Sequence, residues 1–144
     1  VVIVNEMVHD PRVVPLDGRP HVGAAIRLWA GGSRGRWEGN TLVVETQNFT
    51  DHGTGTFGLP GLSDRNMHHV ERFTRLDDRG LLYQFTVNDP TVWTRPWSVE
   101  VPMTRIDGFV MEYACHEGNY SLTNILSGAR AEEAAARGQA PSPR

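Results

Sequence analysis

The chain contains no lysine, a single cysteine and no long apolar run, and each of these absences removes a class of function. All 14 basic residues among the 144 are arginines. A lysine Schiff base and a phosphate-loop lysine are therefore excluded. Arginine favours fixed, fork-shaped recognition over a mobile point charge, although all-arginine usage is also what a GC-rich genome produces. Cys115 stands alone, so no internal disulfide can form and the compartment is left open. No stretch approaches the ~20 apolar residues of a membrane span. The formal net charge of −3 leaves no broad cationic surface, which argues against nucleic acid as the main partner. No signal peptide is legible. The chain opens at Val1 inside the run Val1-Val2-Ile3-Val4, without an initiator methionine, and reads as a mature or excised piece of a longer protein.

What is present fits one globular domain. Hydrophobic residues make up 39% and charged residues 22%, enough of both for a packed core and a solvated surface. Short β-branched or aromatic runs alternate with polar, glycine-containing turns. Val1 to Val8 and Val13 to Leu16 read as strands, the second followed by the Asp17-Gly18 turn. Arg36-Trp37 leads through Glu38-Gly39-Asn40 into Thr41 to Thr46. His69 to Leu76 leads through Asp77 to Gly80 into Leu81 to Val87, and Trp97 to Ile106 leads through Asp107-Gly108 into Phe109 to His116. The pattern predicts a mainly β fold, an antiparallel meander forming a barrel or a strongly curved sheet. Two long loops interrupt it, Phe49 to Asp64 and Pro90 to Pro96, and long loops of this kind often serve as lids or binding loops. Leu122, Ile125, Leu126 and Ala129 fall at helical spacing from about Ser121, and Arg137-Gly138 supplies the stop signal. The expected organisation is a β-barrel-like domain over 1–128, with 129–144 as a helical end and disordered tail.

Turn chemistry assigns residues to faces. A two-residue Asp107-Gly108 loop puts Trp97, Val99, Val101 and Met103 on one face with Glu112, Ala114 and His116. Phe109, Met111, Tyr113 and Cys115 then lie on the other. Alternation does not decide which face is inside. The Asp77 to Gly80 turn, taken as a four-residue loop, places His69, Glu71 and Phe73 with Leu82, Gln84 and Thr86. The Gly39-Asn40 turn sets Arg34 opposite Glu45.

Six histidines are many for this length. A histidine beside a glutamate is the minimal proton-transfer pair near neutral pH. His69, Glu71, Glu112 and His116 are therefore the expected catalytic groups, with Arg72, Trp93, Trp97 and Tyr120 as expected ligand-binding residues. Trp93 and Trp97 flank Arg95 and would offer stacking platforms for a sugar or an aromatic ligand, or else anchor the core. No cofactor is favoured. A divalent metal held by His69, Glu71 and His116 is conceivable, but no clustered His/Cys spacing supports it. Cys115 faces away from His116 on a strand and reads as a small buried hydrophobe. Asn119 or Ser121 is expected to cap the helix.

The segments Leu16 to His21, Ser33 to Thr46, Val70 to Arg75, Trp93 to Trp97 and Tyr113 to Tyr120 together resemble the C-terminal part of a family of uncharacterised exported proteins of soil bacteria. The resemblance covers most of the chain. It implies a longer precursor and an exported location, periplasmic or extracellular, and brings no catalytic residues with it. The meander is also broadly lipocalin-like, a likeness of fold alone. The leading expectation is an exported small-molecule enzyme of lyase, isomerase or hydrolase type. It would use His/Glu acid–base chemistry in a β-barrel pocket. A non-catalytic module for a sugar or aromatic ligand, and a structural domain of a longer exported protein, are the alternatives. An edge strand offers a route to a homodimer.

Overall fold

A computed structural model of the chain describes residues 1–6, 11–50, 65–114 and 117–138. The chain packs as two units, Val1–Val110 and Met111–Arg144. The first holds seven described strands: β1 (Val2–Ile3), β2 (Arg12–Val13), β3 (Gly32–Glu38), β4 (Thr41–Gln47), β5 (His68–Arg75), β6 (Gly80–Asn88) and β7 (Trp97–Thr104). The second holds one helix, α1 (Ser121–Ala136). The fold is mainly β, with antiparallel sheets and one short C-terminal helix.

Strands β3 to β7 form one five-stranded antiparallel sheet in sequence order, the meander expected from the hairpin signals. Strand β4 is at its centre of burial, and Val43 and Val44 are fully buried. The Gly39-Asn40 loop has two residues, with Gly39 at φ +61, so Glu38 faces Thr41 and Arg34 faces Glu45. That register is as expected. The side-chain pairing is not: Glu45 Oε1 takes Arg36 Nη1 at 2.5 Å, whereas Arg34 donates to the Pro20 and Ser33 carbonyls.

The two faces differ sharply. The outer face carries Arg36, Glu38, Arg72, Gln84 and Glu100. Arg72 pairs with Glu38 at 3.0 Å, and Gln84 donates to Glu100 at 2.8 Å. The inner face carries the core in two clusters. Phe49, Met67, Phe85 and Val87 form one, with Tyr83, Trp93, Trp97 and Val99 packed against it. Val14, Leu42 and Val44 form the other, with Ile3 and Phe73. Strand β4 is covered on both sides, since Val43 is fully buried on the face that carries Arg36 and Arg72, while the other strands carry most of their buried apolar side chains on the inner face.

The short β1–β2 ribbon lies with the second cluster. Its ends are tied by Val14 N donating to Val1 O at 2.8 Å and the Val1 ammonium donating to Val14 O at 3.0 Å. Beyond β2 the chain follows the β3 edge, where Gly35 N donates to Pro15 O at 2.9 Å. Only glycine fits at position 35. A Cβ there would meet Val14 Cγ1 at 2.7 Å and Leu16 Cδ2 at 2.6 Å.

Two expected registers are corrected. First, the β5–β6 loop has five residues, not four. Asp77 Oδ1 accepts the backbone N–H groups of Arg79 (2.7 Å) and Gly80 (2.6 Å), and this side-chain turn takes up one extra residue. Arg75 therefore faces Leu81, Phe73 faces Tyr83, Glu71 faces Phe85 and His69 faces Val87. A slip of one residue exchanges the faces of a whole strand. Second, the Asp107-Gly108 hairpin does not form. Strand β7 pairs with β6, and residues 109–114 are in no strand. Two causes are visible. Arg79 holds the Asp107 carboxylate (Nη2 to Oδ2, 2.9 Å) and the Arg105 carbonyl (3.0 Å), drawing the chain away from a tight turn. Pro102 is the other cause. Arg105 N donates to Arg79 O at 2.7 Å, and by ladder alternation this turns the Pro102 nitrogen toward the outer edge of β7. In the expected hairpin that position would have to donate to Tyr113, and proline has no N–H.

In the second unit, α1 begins where expected. Asn119 Oδ1 accepts the Ser121 N–H at 3.0 Å, and the helix ends at Arg137 with Gly138 at φ +67. The expected loop over 49–64 and strand over 1–8 lie partly outside the described residues, as do the whole of the tail 139–144, Cys115 and His116.

Candidate functional site on the inner sheet face

The corrected β5–β6 register brings ionisable groups together on the inner face. His69 and Glu71 alternate on β5 and therefore point the same way. Tyr83 arrives from β6 and Arg12 from β2. The Glu71 carboxylate is the hub. Its Oε1 accepts Arg12 Nη2 at 2.9 Å and the Tyr83 hydroxyl at 2.9 Å. Its Oε2 lies 2.6 Å from Arg12 Nη1 and 3.8 Å from His69 Nδ1. His69 and Glu71 are 1% and 3% exposed, so the cluster sits in a low-dielectric interior.

Burial changes the titration of its members. It holds the His69 imidazole below its ordinary value; the Glu71 charge opposes this only in part, and Arg12 adds to the lowering. His69 is thus neutral near pH 7. The Tyr83 phenol is pushed well above its ordinary value, chiefly by burial and then by the adjacent Glu71 charge to which it donates. Arg12 and Tyr83 both hydrogen-bond Glu71 Oε1, whereas Oε2 has the Arg12 ion-pair contact but no hydrogen bond among the described residues, so Glu71 is anchored through one oxygen. His69 Nε2 is also buried and has no hydrogen-bond partner among the described residues. A buried imidazole nitrogen left unbonded costs about 1–3 kcal/mol and calls for a functional explanation.

An aromatic row continues from this cluster. His69 meets Phe85 edge-on at 5.5 Å, Phe85 meets Trp97 at 5.8 Å, and Trp97 meets Trp93 at 5.7 Å. In the other direction Phe85 meets Tyr83 at 5.5 Å, and Tyr83 stacks on Phe73 at 4.9 Å. Trp93 is positioned by the turn at Asp89, whose carbonyl accepts the Trp93 N–H at 2.8 Å.

The expected site residues therefore separate. His69 and Glu71 come together, and Trp93 and Trp97 line the same face. Arg72 is on the opposite face, bound to Glu38, because it lies between Glu71 and Phe73 on the strand. Glu112 and Tyr120 belong to the second unit and are exposed. His116 lies outside the described residues. No three His, Cys, Asp or Glu side chains are gathered for a metal ion among the described residues. Arg12 and Tyr83 are members that the sequence pattern did not single out. The Asp77 side-chain turn was the signal that would have placed Tyr83 beside Glu71. For Arg12, 59 positions from its partner, no local signal exists.

No family model, no curated protein and no solved structure matches the chain. No described helix is long and apolar enough to cross a membrane.

Proposed function

We propose that the β unit is a small-molecule enzyme of lyase, isomerase or hydrolase type in which His69 is the proton-transferring group. The observation that carries this reading is the buried, neutral imidazole with an unbonded Nε2. The nearby Glu71 carboxylate favours the proton on Nδ1 and leaves a lone pair on Nε2. That nitrogen can take a proton from a substrate and return it. Arg12 and Tyr83 position Glu71, and Glu71 orients His69 electrostatically, the role a third group plays in a nucleophile–base–orienter arrangement. Export, and a curved sheet closing into a barrel-like pocket over this face, belong to the same proposal. Their support is the resemblance to exported proteins of soil bacteria and the meander order of the strands.

The test is a panel of uncharged esters, lactones, epoxides and carbon acids offered to the full chain and to His69→Gln. Loss of a general base lowers a rate about 10²- to 10⁴-fold. A turnover that is lost by that factor in a folded variant supports the reading. A turnover that survives the substitution sinks it.

The non-catalytic alternative rests on a different observation, the row Phe85, Trp97 and Trp93. These rings are suited to stacking on a sugar or aromatic ligand with no proton transfer.

A further inference from the structure

The two oxygens of Glu71 are held differently. Oε1 accepts Arg12 Nη2 and the Tyr83 hydroxyl, each at 2.9 Å. Oε2 lies 2.6 Å from Arg12 Nη1 but accepts no hydrogen bond among the described residues. His69 Nδ1 is 3.8 Å from that same oxygen. One buried carboxylate thus has two cations within reach, Arg12 from β2 and a protonated His69 from β5. A proton added to His69 would set both beside a single anion, in a site almost closed to water. The new N–H would be on Nε2, which has no acceptor among the described residues.

The two cations differ in their freedom to leave. His69 is fixed in the middle of the sheet, paired with Thr46 of β4 and Val87 of β6. Arg12 belongs to a ribbon whose strands are each two residues long, and its side chain keeps 23% exposure. A two-stranded ribbon is marginal by itself. The charged groups that bear on the ring are Glu71 and His68 from β5 and Arg12 from β2. Thr46, Val87 and Phe85 are uncharged, and the Tyr83 phenol keeps its proton because burial pushes it well above its ordinary value. Arg12 is therefore the group that gives way.

We propose that acid exchanges the cation on Glu71: the His69 imidazolium closes its Nδ1–H onto Oε2, Arg12 turns out to water, and the β1–β2 ribbon is released from the sheet. The proton comes from solvent, and the site holds one carboxylate and one cation before and after. Burial, and the Arg12 charge with it, oppose the proton in the closed form, whereas Glu71 favours it. Release removes the Arg12 contribution and leaves the Glu71 one. The inference concerns conformation and does not depend on turnover at His69.

The test follows amide exchange of the full chain by NMR between about pH 7.5 and about pH 5.5, each rate divided by its intrinsic rate. One pH unit below the ordinary imidazole value, a proton bound only by the released form shifts the equilibrium about tenfold. Protection of the β1–β2 ladder and of the Val14 amide, which donates to Val1 O, should fall by about that factor. The amides shared by β5 and β6 should keep theirs. The His69 ring Cε1–H shift should titrate with the same midpoint as the ribbon. In His69→Gln the ribbon protection should not change with pH. Ribbon protection that is constant in the parent, ribbon and sheet amides lost together, separate midpoints, or a pH-driven loss that survives His69→Gln overturns the proposal. The two midpoints are read on the unsubstituted chain, so they decide the matter even if His69→Gln fails to fold. No substrate enters the readout, so its failure leaves the proposed catalysis standing, and absence of turnover leaves the exchange of cations standing.

Discussion

Arg12 and Glu71, 59 positions apart, are joined by two contacts, Nη1 to Oε2 at 2.6 Å and Nη2 to Oε1 at 2.9 Å. This fork attaches the β1–β2 ribbon to the centre of the five-stranded sheet. Glu71 is almost wholly buried, so removing its partner leaves a carboxylate stranded in the interior. Arg12→Ala is expected to destabilise the fold by about 3 kcal/mol, the lower end for breaking a buried pair, because the Arg12 side chain keeps some solvent contact. Arg12→Met combined with Glu71→Leu should cost less than Arg12→Ala alone, since no charge is then left unpaired. Urea unfolding of the three proteins checks the order. A double variant less stable than Arg12→Ala would show that packing, and not the stranded charge, dominates.

The His69 imidazole gives a pH dependence of definite sign. Its folded value lies below 6.5, so between the two values the unfolded chain binds more protons than the folded one. Stability is therefore full above about 6.5 and falls as the pH drops through the window below it. The charged groups that bear on the ring are Glu71, Arg12 and His68. Other groups of the chain also respond to acid, which makes the comparison with His69→Gln the informative one. The midpoint of urea unfolding should fall more steeply from neutral pH to about pH 5 in the parent chain than in the variant. Parallel curves would show that His69 titrates alike in both states.

Gly35 tests how the chain beyond β2 packs on the β3 edge. The glycine has no unusual φ, so its need is for space alone. An added methyl would press on Val14, which is fully buried, and on Leu16. Gly35→Ala is expected to cost about 1–3 kcal/mol by overpacking. In addition, the Gly35 amide should exchange faster with solvent, because its bond to Pro15 O would lengthen. A variant as stable as the parent would mean that this segment shifts aside freely.

The meander was legible because each of its devices is local. The Gly39-Asn40 loop, the β-branched runs and the Arg137-Gly138 stop all act within a few residues. What was not legible depended on competition between distant or side-chain-driven contacts. Asp77 could accept two backbone N–H groups, and that choice moved Tyr83 from the face opposite Glu71 to the face beside it. Asp107-Gly108 favours a hairpin by its own preference, yet the grip of Arg79 on Asp107 and the missing donor of Pro102 outweigh it. His69 and Glu71 could be paired from their spacing alone. Arg12 could not, because nothing near it announces a buried carboxylate in β5.

Pro102 gives the last prediction. Strand β7 is at one end of the sheet order, and no described strand pairs with its outer side. Its outward main-chain groups are those of an open edge, which invites pairing with a second copy. Proline in that row removes a donor at mid-strand, as edge strands commonly do to avoid such pairing. Pro102→Thr restores the donor and brings a residue of higher strand preference. Gel filtration with light scattering over a range of concentrations should show the parent chain associating less than the variant. The variant's dimer fraction should rise with concentration, and Pro102→Gly, which restores the N–H with weak strand preference, should fall between them. Equal association of all three would mean that this edge is guarded by something other than the missing N–H.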